Sequence, residues 1–453
     1  MRPKTAREVA FTALERGTRG AWSDGTLKRL IREANLDRRE SALCSRICYG
    51  VQQNRLLLEF WMGCYSKVAV TKLEPAVRIA LAMGMYQAAL MDRIPQRAAV
   101  SESVELVKRF SRNPHSASLT NGILRTFCRN LDHLPQPDSL SVQYSHPQWL
   151  VDLFTAELHG EGVEALLAAN NAQPPTTVQV NPLKTTAEAL TAALTAAGVE
   201  VRPHSWAPGC LELRGTGDLE SLEAFQKGEF LVQDAAARLA VTAAGVKPGM
   251  RVLDLCAAPG GKSFAAAMDM ENRGELISCD VQEKKVQLIR RGAQRYGITI
   301  LTAQVRDGRI FNPEWEQSFD VVLADVPCSG LGIIRKKPDI RTKDPTALEN
   351  LPAIQAALLQ NASRYVKPGG VLVYSTCTVL RRENEAVVEA FLAENPDISA
   401  EPLELGGPVG HCERGMVTLW PHLHGTDGFF VARLRRPGAL PLNPAQGDFE
   451  KSP

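Results

Sequence analysis

The 453-residue sequence predicts a multidomain chain: an all-α N-terminal domain, a small α+β linker domain, and an α/β domain of the Rossmann-like, mostly parallel doubly wound kind. Three observations predict it. Up to about residue 130, apolar residues recur at intervals of three and four. The Pro- and Ser-rich stretch LPQPDSLSVQYSHPQWL, from Leu134, then breaks that period, and from Ala236 strand-like and helix-like runs alternate. The boundaries that follow are 1–135, 136–235 and 236–437, with 438–453 as a disordered tail.

The helical part reads as AREVAFTALERG, DGTLKRLIREANL, RRESALCSRICYGVQQNRLLLEFWMG, LEPAVRIALAMGMYQAALM, AAVSESVELVKRF and ASLTNGILRTFCRN. The middle part mixes the helices WLVDLFTAELHGEGVEALLAANN and TAEALTAALTAAG with short strands at TTVQVN, CLELRG and FLVQD. In the last part MRVLDLC, ELISCD, ITILTAQVRD, FDVVLADVP, VLVYST and FFVARLRR read as strands. The segments between them, LENLPAIQAALLQNASRYV among them, read as helices.

Composition is that of an ordinary globular protein, 44% hydrophobic and 23% charged. No leader-like charged and apolar segments open the sequence and no run of about 18 apolar residues occurs, so a cytoplasmic, non-membrane protein is expected. The ten cysteines form no CxxC and no close Cys/His cluster of zinc-finger spacing, so no metal site is expected; Cys44 and Cys48, four apart, read as helix-core packing. The net charge of +2 hides a division: residues 1–135 carry 22 Lys+Arg against 12 Asp+Glu, and the remainder 30 against 38. A basic region of this kind suits a polyanion.

Ligands of doubly wound sheets bind at the carboxyl ends of the strands. Four such ends carry polar signals here. LDLCAAPGGKS is a strand, a small-residue turn and a helix start, yet it has neither the GxGxxG nor the Walker frame, which suits a nucleoside ligand lacking a pyrophosphate. Asp280, 20 residues past Gly260, ends ELISCD and suits a pair of ribose hydroxyls. Asp307 suits an adenine amino group, and Asp325 completes a spaced acidic set for adenosyl recognition. Two strand ends also carry thiols, Cys328 in DVPCSGLG and Cys377 in VYSTCTVL.

LDLCAAPGGKS, DVPCSGLG and STCTVLRRENE closely resemble the motifs of the RNA (cytosine-5)-methyltransferases, and the helical N-terminal part resembles NusB. The whole is similar to the bacterial 16S ribosomal RNA (cytosine-5)-methyltransferases with a NusB-like N-terminal domain. That resemblance implies S-adenosylmethionine as cofactor, bound by Cys256, Ala257, Ala258, Pro259, Gly260, Gly261, Lys262, Asp280, Asp307 and Asp325. It implies Cys377 as nucleophile and Cys328 as the thiol that completes turnover, with Asp325 and Lys262 at the cytosine edge. The family often has Arg-x-Asn before this core; TTVQVN puts Gln179 in place of that Arg.

The chemistry explains the two thiols independently of the resemblance. Carbon 5 of cytosine is a poor nucleophile until a thiolate adds to carbon 6; the adduct must then lose the carbon 5 proton and expel the sulfur, which needs a second acid/base group. A thiol reaches carbon 6 only of an unstacked base, so a single-stranded or looped cytosine is expected; the resemblance implies that it lies in 16S ribosomal RNA. Arg335, Lys336, Lys337 and Arg125 are candidate phosphate contacts. No obligate protein partner is evident. Three rival readings stand beside this one: the same chemistry on another RNA, a DNA (cytosine-5)-methyltransferase with Cys328 as nucleophile, and a non-catalytic NusB-like RNA-binding protein.

Overall fold

The structure, a computed structural model, describes residues 5–18 and 24–438; past residue 438 the expected tail lies outside them. No described helix is long and apolar enough to cross a membrane. The chain forms two compact units, one of Met1–Pro174 with Gly215–Glu220 and Ile333–Ala347, the other of Pro175–Arg214, Ser221–Gly332 and Leu348–Pro453.

The first unit is built from α1 (Ala6–Thr18), α2 (Asp24–Glu33), α3 (Arg38–Gln53), α4 (Arg55–Tyr65), α5 (Pro75–Leu90), α6 (Gln96–Phe110) and α7 (Ser116–Arg129), followed by α8 (Leu140–Gln143), α9 (Gln148–Glu157) and α10 (Val163–Asn171). The sequence of α5, apolar all round, makes it the central helix: Ile79–Gln87 is buried without interruption. Cys44 and Cys48 are buried in the same core, where burial pushes the Cys48 thiol well up. Asp37 caps α3 by accepting from the Glu40 amide at 2.8 Å.

The segment 333–347 joins this unit through Arg341, only 3% exposed. Its guanidinium donates to the carbonyls of Gln53 (2.7 Å), Ser145 (3.1 Å) and Asn170 (3.2 Å) and to Asn171 Oδ1 (2.5 Å). Carbonyl dipoles, not a carboxylate, thus surround the charge, and burial pushes its pKa down to about 9. Burial and then the Arg341 charge hold the His146 imidazole well below its ordinary range.

The second unit holds two large sheets. A four-stranded antiparallel sheet has the order β2 (Glu200–Pro203), β3 (Cys210–Arg214), β1 (Thr176–Val180), β4 (Phe230–Val232), and it carries α11 (Ala187–Ala196) and α12 (Glu223–Lys227). The larger sheet contains β5 (Arg251–Asp254), β6 (Glu275–Asp280), β7 (Leu301–Val305), β8 (Phe319–Asp325), β9 (Val366–Thr376), β10 (Ser399–Ala400), β13 (Met416–Leu419) and β14 (Phe429–Arg435); β11 (Leu403–Glu404) and β12 (His411–Cys412) form a separate pair. Its order is β10-β14-β9-β8-β5-β6-β7, with β13 beside β14. From β9 to β7 the strands are parallel, whereas β14 runs antiparallel to β9.

Strand alternation divides the core between two faces. Val321 and Leu323 of β8 join the cluster of α13 (Ala235–Ala244), α14 (Gly261–Asp269) and α15 (Glu283–Tyr296), while Val322 and Ala324 join that of α16 (Leu351–Tyr365) and α17 (Glu385–Glu394). The chain leaves β5 toward β6 and β7, then returns to β8 on the other side of β5. The strand order therefore reverses between β5 and β8, the place where doubly wound sheets bind their ligands at the strand carboxyl ends.

Candidate active site

Register brings the two thiols together. Parallel pairing of β8 with β9 sets Asp325 opposite Ser375, so Cys328, three residues on, and Cys377, two residues on, emerge side by side. Their sulfurs are 3.1 Å apart and unbonded, both thiols half-buried. The hydrogen bond with Cys377, then burial, then the Cys377, Glu383 and Asp325 charges push the Cys328 thiol well above its ordinary range. A thiol so shifted rests protonated, and is a strong base once its proton has gone.

Beside the thiols, Lys262 Nζ donates to Asp325 Oδ2 at 2.7 Å, and Ser375 Oγ donates to Oδ1 at 2.8 Å. Burial lowers the Lys262 pKa, but the Asp325 carboxylate, its hydrogen bond, Asp254 and the Cys377 sulfur outweigh it, so the ammonium is held. Its Nζ also lies 5.1 Å from the centre of the Phe429 ring.

The turn after β5 is stitched to its neighbours by Leu255 N to Leu323 O (2.9 Å) and Ala257 N to Cys279 O (2.7 Å). Gly260 has φ +109°, and a Cβ there would meet the Phe264 ring at 2.3 Å; Gly292 of α15 packs against the same ring as closely. Both positions need glycine for the helix start to sit this low on the sheet. Cys256 lies in the turn with its thiol pushed well up by burial and then by the carboxylates of Asp254, Asp325 and Asp280. Asp280, at the end of β6, accepts from Gln282 N at 2.9 Å through Oδ1, while Lys285 is 3.8 Å from Oδ2. Asp307 is held by Arg309, which donates from its amide (2.9 Å) and from Nη2 (2.6 Å) and lowers the carboxyl pKa.

Thus Lys262, Asp325, Cys328 and Cys377 form one cluster, and the 256–262 turn, Asp280 and Asp307 occupy the ends of β5, β6 and β7. Arg335, Lys336 and Lys337 fall in the 333–347 segment of the helical unit. Gln179, on β1, is buried, and its Oε1 has no hydrogen-bond partner among the described residues.

Three groups escaped the sequence reading. Glu383 is fully buried; its Oε2 accepts from Ser329 N (2.9 Å) and from Gln355 Nε2 (2.9 Å), which ties the loop bearing Cys328 to α16. Asn384 accepts from Thr376 Oγ1 (2.6 Å) and donates to Thr378 O (3.1 Å), bracketing Cys377. The repeated acid and amide in RRENE, close behind STC, were the available signal. Asp254, at 0% exposure, lies beneath the turn: its Oδ2 accepts from Ser263 Oγ at 2.6 Å, and Ser263 Oγ accepts from Ser278 Oγ at 2.8 Å.

The 16S rRNA methyltransferase RsmB/F family matches residues 241–435, the NusB family residues 4–129, and a ferredoxin-like domain of RsmF/B-like methyltransferases residues 146–220. A protein of Bacillus subtilis (strain 168), "Probable ribosomal RNA small subunit methyltransferase B", is 35% identical over 451 residues, 97% of this chain and 100% of that one. The ribosomal RNA small subunit methyltransferase B of Escherichia coli O7:K1 (strain IAI39 / ExPEC) is 32% identical over 87% of this chain and 90% of its own length. Among solved structures, PH0851 superposes with a TM-score of 0.79 at 28% identity, over 96% of this chain and 99% of that one. With a methyltransferase sheet, a NusB-like helical domain and whole-length relatives of this kind, the chain belongs to the RsmB/F family of 16S ribosomal RNA methyltransferases and is an enzyme.

Proposed function

We propose that the protein methylates carbon 5 of a single-stranded or looped cytosine in 16S ribosomal RNA, using S-adenosylmethionine and a covalent Cys377–cytosine adduct. The observation that carries this reading is the pair of sulfurs 3.1 Å apart beside the Lys262–Asp325 ion pair.

The strand ends fit the cofactor. Among the described residues Asp280 Oδ2 has only a 3.8 Å approach from Lys285, which leaves lone pairs for ribose hydroxyls. Val281 (55% exposed), Val305 (49%) and Ile310 (64%) offer apolar surface for an adenine between Asp280 and Asp307. The cofactor supplies a methyl group on a sulfonium, an electrophile that carbon 5 can attack once carbon 6 carries sulfur.

The protein's own groups do the rest. The Lys262 ammonium, electrostatically coupled to the Cys377 sulfur, favours the thiolate that adds to carbon 6. Asp325, whose oxygens already accept from Lys262 and Ser375, accepts from the exocyclic amine of the base. In the second half Cys328, after its own proton has passed to solvent, takes the carbon 5 proton; the electron pair of that C–H bond closes the carbon 5–carbon 6 double bond, and the pair of the carbon 6–sulfur bond returns to Cys377.

Each thiol therefore stops the cycle at a different point. Cys377→Ala gives neither product nor adduct; Cys328→Ala attacks and methylates but accumulates enzyme joined to RNA, visible as a shifted band on denaturing electrophoresis. An adduct in Cys377→Ala and none in Cys328→Ala would reverse the roles, and full activity in both would end the reading.

A further inference from the structure

The helical unit carries a groove of about 700 Å³ between α6 and α7. Arg97, Ser101 and Lys108 stand along its α6 rim, and Asn121, Arg125 and Arg129 along its α7 rim. Steps of four and seven residues keep each set on one helix face. Lys108 is paired with Glu105 at 2.7 Å. Arg97, Arg125 and Arg129 are exposed and make no ion pair or hydrogen bond with any described residue. Elsewhere in the unit Arg29 is bound to Glu33, Arg109 to Glu8 and Lys28 to Glu220, while the exposed Lys67, Lys72 and Arg93 also lack a partner among the described residues but do not line this groove.

We propose that this groove holds the sugar–phosphate backbone of one strand of the substrate RNA. The inference rests on the RNA-methylating reading and gives the helical unit a defined contact line. Three unpaired guanidinium forks match phosphate oxygens, and the Ser101 and Asn121 side chains add neutral donors. The 11 helical steps from Arg97 to Lys108 span about 16 Å, roughly five nucleotides of a stacked strand at about 3.4 Å each. A groove bounded by one helix face on each side follows the sugar–phosphate backbone of one strand, whether that strand is paired or not. No aromatic side chain among the described residues lines it, so these offer no stacking platform, and the groove reads charge rather than base identity.

The test is RNA affinity against salt. In the full-length protein, Arg97→Gln/Arg125→Gln/Arg129→Gln keeps good helix formers while removing three charges. The reference variant Lys67→Gln/Lys72→Gln/Arg93→Gln removes three exposed charges outside the groove. Binding to a transcript of 16S ribosomal RNA is measured from 50 to 200 mM salt, and S-adenosylmethionine binding is measured alongside. At about 0.7 per phosphate contact, the groove variant should lose about 2 from the slope of log affinity against log salt. Its deficit relative to wild type should then shrink roughly 20-fold across that range. The reference variant should lose less, and cofactor binding should be unchanged in both. Equal losses in the two variants would mean a diffuse charge effect and overturn the groove. An undiminished slope in the groove variant, in a preparation whose wild type binds and methylates RNA, would also overturn it, leave the catalytic reading standing and free the groove for another occupant such as an acidic polypeptide. A wild type without salt-dependent RNA affinity would remove both.

Discussion

Replacing Asp254 by Asn should make the protein more stable at pH 8 and leave it almost unchanged at pH 4. The Asp254 carboxyl has no solvent exposure. Burial, with Asp325 acting in the same direction, pushes its pKa from 3.8 to about 7, against the opposing pull of Ser263, Lys262 and the Cys256 backbone. Between those two values the unfolded chain has released a proton that the folded chain still holds. Stability therefore falls as pH rises through that window and levels off above it. The interval from 3.8 to about 7, at about 1.36 kcal/mol per pH unit, amounts to roughly 4 kcal/mol. Asn keeps a carbonyl oxygen for Ser263 Oγ and carries no charge to desolvate, so it should recover that amount at pH 8. Peptide-resolved hydrogen exchange over residues 251–269, run on both proteins from pH 4 to pH 8, reads the opening of this region directly. The difference between them isolates Asp254, because every other titrating group is common to both. A difference that stays flat with pH would refute a neutral, buried Asp254.

Other expected outcomes concern single groups. Asp280→Ala should weaken S-adenosylmethionine binding by roughly 1–3 kcal/mol in calorimetric titration while the fold survives; unchanged affinity would reduce Asp280 to the loop residue that holds Gln282 N. Glu383→Ala removes the acceptor of Ser329 N and leaves Gln355 Nε2 with the Pro327 carbonyl alone, and should cost roughly 1–3 kcal/mol of stability in urea unfolding, with Glu383→Gln intermediate. Arg341→Met leaves the carbonyls of Gln53, Ser145 and Asn170 without their donor and should cost about 3 kcal/mol or more; protease resistance of the 333–347 segment equal to wild type would contradict this.

The parts of the site that were legible in the sequence are those in which local pattern and chemistry coincide. Asp325, Cys328 and Cys377 follow apolar runs directly, so reading the strands was enough to put them at strand ends, and Lys262 follows a turn whose glycines announce it. Glu383 and Asp254 were hidden for opposite reasons. Glu383 acquires its role from Gln355, 28 residues away on α16, while Asp254 looked like one more residue of the strand LDLC. The antiparallel β14 was equally silent, because periodicity gives burial and not strand direction. Nor does composition mark 333–347 as part of the helical unit. Arg341 reads as one more surface cation after Arg335, Lys336 and Lys337 until its acceptors, up to 288 residues away, are known.

The cage around Arg341 also sets an order of events during synthesis. Residues through Asn171 supply every acceptor, but the guanidinium that fills them is made 170 residues later than the last of these. At about 5–20 residues per second, the nascent helical bundle waits roughly 10–30 s with those carbonyls facing water. Within that interval the ribosome delivers β1 to β8 and both glycine-rich turns. The bundle is therefore completed from behind, by a piece of chain that emerges only after the strand bearing Asp325 and the loop bearing Cys328 have been made. A nascent chain arrested before residue 341 would carry the ten helices of the bundle, α1 to α10, around an unfilled polar socket, a partly folded species for chaperones to recognise.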